Sequence, residues 1–173
     1  MNKQVLQVAL LAMVLGGPLV LAAEGLVQPG QPAPDVRLPK ADGAMFSLAE
    51  NKGKVVLIDF WASWCGPCKA SFPALDALYQ ELHERGFEVM AVNLDEHRAD
   101  ATAFLADKPH SMAVVFDPEG SAASAYGLTG LPTSFLIGRD GRVRFVHVGY
   151  TAKTLEGYRR EIEQLLGETT REH

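Results

Sequence analysis

Both cysteines of the chain fall in one stretch, DFWASWCGPCKASFP (residues 59–73), with only Gly66 and Pro67 between Cys65 and Cys68. Two thiols at that spacing suit three chemistries: a redox-active dithiol, a structural cross-link, or half of a metal site. A cross-link closing so short a loop removes little freedom from the unfolded chain. A zinc site needs about four ligands, yet there is no second cysteine pair, and His83, His97, His110, His147 and His173 are scattered without ligand-like spacing. An inert buried pair fits poorly with the intervening Gly and Pro. Redox chemistry is the reading that uses the spacing.

Such chemistry needs elements that hold the sulfurs at unequal reactivity. KVVLIDFW (residues 54–61) is a short β-branched apolar run with Asp59 as its one polar interruption, the pattern of a strand buried on both faces. After the cysteines, Phe72, Leu75, Leu78, Tyr79 and Leu82 recur at helical spacing until Gly86. A helix beginning near Gly66 puts Cys65 at its N-terminus, where unpaired N–H groups and the helix dipole favour a thiolate. There a thiol pKa falls from about 8.5 toward about 3.5–7.5, which makes Cys65 the expected nucleophile. Cys68, one turn on and more shielded, is within reach to close a small disulfide ring and is the expected resolving thiol. Pro67 suits the opening turn, because its missing N–H would have had no helical partner.

The remaining sequence bounds the setting. With 173 residues and 47% apolar composition the chain has the size and content of one ordinary globular domain. Its net charge of −5 and lack of a lysine or arginine block exclude an electrostatic footprint for nucleic acid or an anionic membrane. Residues 1–23 carry Lys3, an uncharged run over 5–20, and Ala22 and Ala23 before Glu24. That is the layout of a secretory signal cut near Ala22 or Ala23. An uncleaved anchor is the alternative, since the run approaches the minimum of about 17 residues for a membrane span. Gly16, Gly17 and Pro18 favour a broken helix and cleavage. No cysteine follows the run to carry a lipid. The expected arrangement is therefore a signal peptide over 1–23, or a membrane tether if it stays uncut, and one domain over 24–173. The expected location is the periplasm, or the periplasmic face of the inner membrane. In such an oxidising compartment a cysteine pair can be structural or redox-active.

Within 24–173, VQPGQPAPDVRLP reads as an extended lead-in, and short segments around Val36 and Phe46 joined by KADG read as an N-terminal hairpin. FEVMAVN (87–93) and MAVVFD (112–117) read as strands, 98–106 and SAASAY as helices, and SFLIGRDGRVRFVHVG as a hairpin turning at Asp140 and Gly141. Residues 151–166 form an amphipathic helix with Leu155, Tyr158, Ile162, Leu165 and Leu166 on one side, and GETTREH is expected to lack fixed structure. The fold class is α/β: a mixed sheet flanked by helices on both faces.

On these residues the chain resembles a known family. FWASWCGPCK is similar to the active site of thioredoxin, with Trp61, Trp64, Gly66, Pro67 and Lys69 in matching places. Over residues 27–166 the chain more closely resembles the TlpA/ResA-like thiol-disulfide reductases, exported relatives of thioredoxin. The lead-in QPAPDVRLPKADGAMFSLAENKGK, the helix and strand inserted between Asn93 and Asp117, and YGLTGLPTSFLIGRDGRV carry that resemblance. It implies a thioredoxin-like sheet with an N-terminal hairpin and a central helix-strand insertion. It also implies that Leu131 and Pro132 form a cis-proline loop facing the disulfide, with backbone at Leu131, Pro132 and Thr133 bound to an extended substrate. A cis X-Pro bond costs little. Trp64, Gly66 and Pro67 would complete the docking surface, while Trp61 suits the core equally. Asp59 matches a buried acid that exchanges the proton of the second cysteine, and burial would raise its pKa toward neutrality as a general base.

Two departures stand out. Ala91 replaces the lysine that approaches the acid in thioredoxin, and Ser71 replaces a glutamate present in some exported members. Asp59 is the one evident acid. The resemblance implies reduction of disulfide-containing protein substrates by Cys65 and Cys68, no bound cofactor or metal, and a membrane protein that donates electrons for re-reduction. A thiol oxidase or isomerase is the alternative. Service to haem attachment in cytochrome c maturation and copper handling for oxidase assembly are two more. The acidic residue expected of a haem-specific role is missing, because Thr133 and Ser134 follow Pro132.

Overall fold

The computed structural model describes residues 25–168; the signal reading of residues 1–23 and the tail residues 169–173 lie outside them. The strands are β1 (Arg37–Pro39), β2 (Met45–Ser47), β3 (Val55–Trp61), β4 (Phe87–Asn93), β5 (Ala113–Phe116), β6 (Thr133–Ile137) and β7 (Val143–Val148). The helices are α1 (Gly66–Leu82), α2 (Arg98–Leu105), α3 (Ser121–Ala125) and α4 (Ala152–Gly167), with 3-10 turns at Ala49–Asn51 and His83–Arg85. The five-stranded sheet has the order β5-β4-β3-β6-β7. β3, β4 and β5 run parallel, and β6 and β7 complete the sheet antiparallel.

Every residue of β3 is buried, which is what its apolar run requires of a strand in the middle of a covered sheet. Its residues alternate between two cores. Val55, Leu57 and Trp61 pack with Phe72, Leu75 and Leu82 of α1 and with Tyr158, Ile162 and Leu165 of α4. Val56, Ile58 and Phe60 pack on the other side with Val27, Val36 and Leu38, with Ala122 of α3, and with Tyr126. Trp61 is a core residue, wedged between the rings of Phe72 and Phe104. Each such large side chain taken fully from water contributes about 1.5–3 kcal/mol.

The hairpin β1–β2 docks against β5 through a bridge between Lys40 and Val115. Arg98 pins its turn, donating to the Lys40 and Ala41 carbonyls while lying 4.3 Å over the Phe116 ring. The hairpin thereby covers a sheet edge that would otherwise offer unpaired backbone.

Element ends fall where local chemistry stops them. Gly86, at φ +91°, caps the turn after α1. α1 runs through Pro73 and forfeits one backbone hydrogen bond there. Thr151 caps α4 reciprocally with Thr154. The C-terminal hairpin turns over residues 138–142, with Gly138 N–H donating to the Arg142 carbonyl. The strand over 112–117 is observed only at Ala113–Phe116: Met112 N–H donates to Asp76 Oδ1 in place of a sheet partner, while Asp117, whose N–H still reaches the Asn93 carbonyl, turns its carboxylate onto the amides that open α3. Among the described residues no helix is long and apolar enough to cross a membrane.

Candidate active site

Cys65 sits at the N-cap of α1 in extended conformation, with Pro67 in the first turn. Its sulfur accepts from Cys68 N–H at 3.3 Å and is covalently bonded to Cys68 as a disulfide. The pair is asymmetric: Cys65 is 5% exposed and Cys68 fully buried. A sulfur at this position faces the unpaired amides of the first turn, so on reduction it is the one whose thiolate the helix stabilises. Gly66 and Pro67 are exposed beside it. The Ser71 hydroxyl is turned inward, donating to the Cys68 carbonyl, and puts no acid near the sulfurs.

The loop entering α1 is clamped from the end of β4. The buried Asp95 carboxylate accepts both the Ser63 N–H and hydroxyl at 3.1 Å, and Asn93 Nδ2 at 2.9 Å. Neither Asp95 nor Asn93 is signalled in the sequence, since a carboxylate just past a strand looks like a solvated loop residue. Ser63 stands two residues before Cys65, so this clamp fixes where the Cys65 sulfur emerges. Asp95→Ala would strand several buried donors and is expected to cost about 2–3 kcal/mol in denaturant unfolding. A change below about 0.5 kcal/mol, typical of an indifferent surface site, would show that the clamp contributes nothing to stability.

The Leu131–Pro132 peptide bond is cis. Leu131 is half-buried and Pro132 buried, and the Pro132 carbonyl accepts from Gly149 N–H at 2.7 Å. Thr133 is fully buried, and its hydroxyl donates to the Gly130 carbonyl. Two large apolar side chains are exposed near these loops: Trp64, beside Cys65, at 70%, and Val148, paired with Thr133, at 60%. Exposed apolar groups rimming a reactive pair are what a protein docking surface offers.

Asp59 lies on the α1/α4 face of β3, in alternation with Leu57 and Trp61, and is 1% exposed. Its neighbour in register on β4 is Ala91, which supplies neither charge nor side-chain hydrogen bond. On the other side it pairs with Ser134 of β6, whose hydroxyl donates to Asp59 Oδ1 at 2.6 Å. Ser134 in turn shares a 2.7 Å hydrogen bond with the buried Tyr158 hydroxyl of α4. Burial pushes the Asp59 carboxyl up to about 7, the Ser134 hydrogen bond pulling the other way. A carboxyl titrating there can take up and release a proton at physiological pH. Ser134 could have been suspected as Asp59 was, as the polar break in an apolar strand. Tyr158 could not, because its ring fits the apolar stripe of α4.

The comparisons with known proteins agree with this geometry. The Redoxin family model matches residues 28–166. The thiol-disulfide oxidoreductase ResA of Bacillus subtilis (strain 168) is 33% identical over 136 residues, 79% of this chain and 76% of its own length. ResA of Bacillus thuringiensis (strain Al Hakam) is 34% identical over 137 residues, 79% of each chain. A crystal structure from Chlorobium tepidum, described as a putative thiol:disulfide interchange protein DsbE, superposes with a TM-score of 0.79. It is 44% identical and spans 82% of this chain and 99% of its own. A family match over most of the chain, relatives one-third identical over three-quarters of it and a shared fold lead to one conclusion: the chain belongs to the Redoxin family, among its ResA-type thiol-disulfide oxidoreductases.

Proposed function

We propose that this chain is an exported reductase of disulfides in protein substrates, working in the periplasm either free or tethered at the inner membrane by residues 1–23. The observation that carries the reading is the unequal pair at the head of α1: Cys65 at the N-cap, Cys68 buried behind it. In the reduced protein Cys65 thiolate attacks a substrate disulfide, forming a Cys65–substrate mixed disulfide and expelling the first substrate thiolate. Substrate backbone lies along the Leu131–Pro132–Thr133 loop, with Trp64, Gly66 and Pro67 as the remaining docking surface. The Cys68 thiol gives its proton to Asp59 and attacks the Cys65 sulfur. The second substrate thiolate leaves and the Cys65–Cys68 disulfide forms. Two electrons have passed to the substrate, and the enzyme is left with its cysteines oxidised. No cofactor or metal enters these steps.

In an oxidising compartment each turnover must be followed by re-reduction, a role suited to a membrane protein passing electrons outward to the Cys65–Cys68 disulfide. The test is direct. The reduced full chain is mixed with a disulfide-bonded protein and thiol release is followed with dithiothreitol as regenerating donor. Release well above the rate given by dithiothreitol alone supports the reading, and release at the dithiothreitol rate refutes it.

A further inference from the structure

The strand register lines up one row across the sheet on the α1/α4 face: Ala91 of β4, Asp59 of β3, Ser134 of β6 and His147 of β7. Toward β4 the row is apolar, and toward β7 it is polar without a break. Asp59, Ser134 and Tyr158 are each about 1% exposed, so water does not compete for their hydrogen bonds. The Tyr158 ring stands edge-on to His147 with centroids 4.7 Å apart, and His147 Nε2 is bonded to Glu161 Oε2 at 2.7 Å at the rim of α4.

A carboxylate can only accept, whereas a hydroxyl can do both. The chain of groups therefore has one consistent polarity when Asp59 is ionised: Tyr158 O–H donates to Ser134 Oγ, and Ser134 O–H donates to Asp59 Oδ1. Hydrogen bonds aligned in this way strengthen one another in a dry interior. With Ala91 opposite, no cation stands on the β4 side to perform the same task.

We propose that Ser134 and Tyr158 are positioning residues whose aligned hydroxyls hold Asp59 ready as proton acceptor for Cys68, taking the place of a cationic partner. The inference rests on Asp59 being the base in the cycle above. Of the ionisable groups on the packed elements, Tyr158 of α4 reaches Asp59 through Ser134, and Tyr158 in turn feels Tyr150 and Glu161, the latter bonded to His147 of β7; Cys68 of α1 belongs to the core on the same face of the sheet. Ser134 is the one of its neighbours that donates to the carboxylate among the described residues. Burial, with the Asp59 charge second, pushes the Tyr158 phenol up, so it stays a protonated donor across the working range.

Removing the Ser134 hydroxyl withdraws the carboxylate's donor and must raise the pH at which Asp59 ionises. The test is a carbon-detected NMR titration of the Asp59 carboxyl in the oxidised full chain, where no cysteine titrates. Ser134→Ala is expected to move the midpoint upward by about one pH unit or more. Tyr158→Phe, which leaves Ser134 in place, is expected to move it upward by about half as much. Ser134→Thr, which keeps a hydroxyl, should restore the parent midpoint. The acid limb of mixed-disulfide resolution should follow the same shifts.

An unchanged Asp59 midpoint in Ser134→Ala overturns the proposal even if that variant is less stable, and an unchanged midpoint in Tyr158→Phe removes Tyr158 from it. Failure of the underlying reading shows separately. If Asp59→Asn resolves mixed disulfides at the parent rate, Asp59 is not the base, whatever the titrations give.

Discussion

Cys65→Ala is expected to abolish catalysed thiol release, with a loss of more than about 10³-fold, because in the proposed cycle the attacking sulfur is gone and no second group at the head of α1 replaces it. Cys68→Ala fails differently. Cys65 still attacks, but the mixed disulfide has no internal thiol to resolve it, so protein accumulates covalently joined to substrate while turnover falls to the rate of the external reductant. Intact-mass spectrometry of the reaction mixture separates the two variants: no adduct for Cys65→Ala, a stoichiometric adduct for Cys68→Ala. The asymmetry follows from the helix N-cap, where Cys65 faces unpaired amides and the fully buried Cys68 does not. Normal turnover by either variant, or adducts on Cys68 in place of Cys65, would refute the assignment.

Asp59→Asn has two large effects of opposite value. The buried carboxyl is pushed from 3.8 up to about 7 by desolvation, against the pull of Ser134. The folded protein therefore binds this proton more tightly than the unfolded chain does across the interval between those values. Its contribution to stability is fully present below about pH 4 and is lost as pH rises through about 7. The loss amounts to about 4 kcal/mol, a large part of a typical stability of about 5–15 kcal/mol. Asparagine has no charge to bury and can keep the Ser134 hydrogen bond. Asp59→Asn should remove most of this pH dependence and make the oxidised protein more stable than the parent at pH 8. In the proposed cycle the same substitution removes the proton acceptor for Cys68, and it should then slow resolution by about 10²–10⁴-fold. Urea unfolding of both proteins at pH 4 and pH 8, with resolution rates at pH 7, checks both. Parallel stability profiles, with Asn no more stable at pH 8, would show that Asp59 carries no buried charge.

The site was legible where chemistry and periodicity coincide. The cysteine spacing, the apolar run of β3 and the helical recurrence after Cys68 place the sulfurs at a strand-to-helix elbow, and the element order follows from alternation of period. Asp59 stands out because a lone carboxylate in an apolar strand needs a reason. The contacts that support it do not stand out, even where the residue itself does. Ser134 comes 75 residues later and reaches Asp59 through antiparallel pairing of β3 with β6, a register that no local pattern contains. Tyr158 reads as core, and its ring is core; its hydroxyl does the polar work. Asp95 is similar, since the group it holds lies in a loop 32 residues upstream. Long-range polar contacts were the hidden part of the site, and they are also the ones that tune it.

The direction of electron flow is the central claim, and the equilibrium reduction potential of the Cys65–Cys68 couple tests it most directly. CxxC proteins span about 150 mV, from about −270 mV for thioredoxin to about −120 mV for the strongest oxidant, or about 7 kcal/mol. Titration of the protein against a dithiothreitol or glutathione couple is expected to give a value near the thioredoxin end. A potential near about −120 mV would contradict the account, because the reduced pair would then be the favoured state and the protein a donor of disulfides.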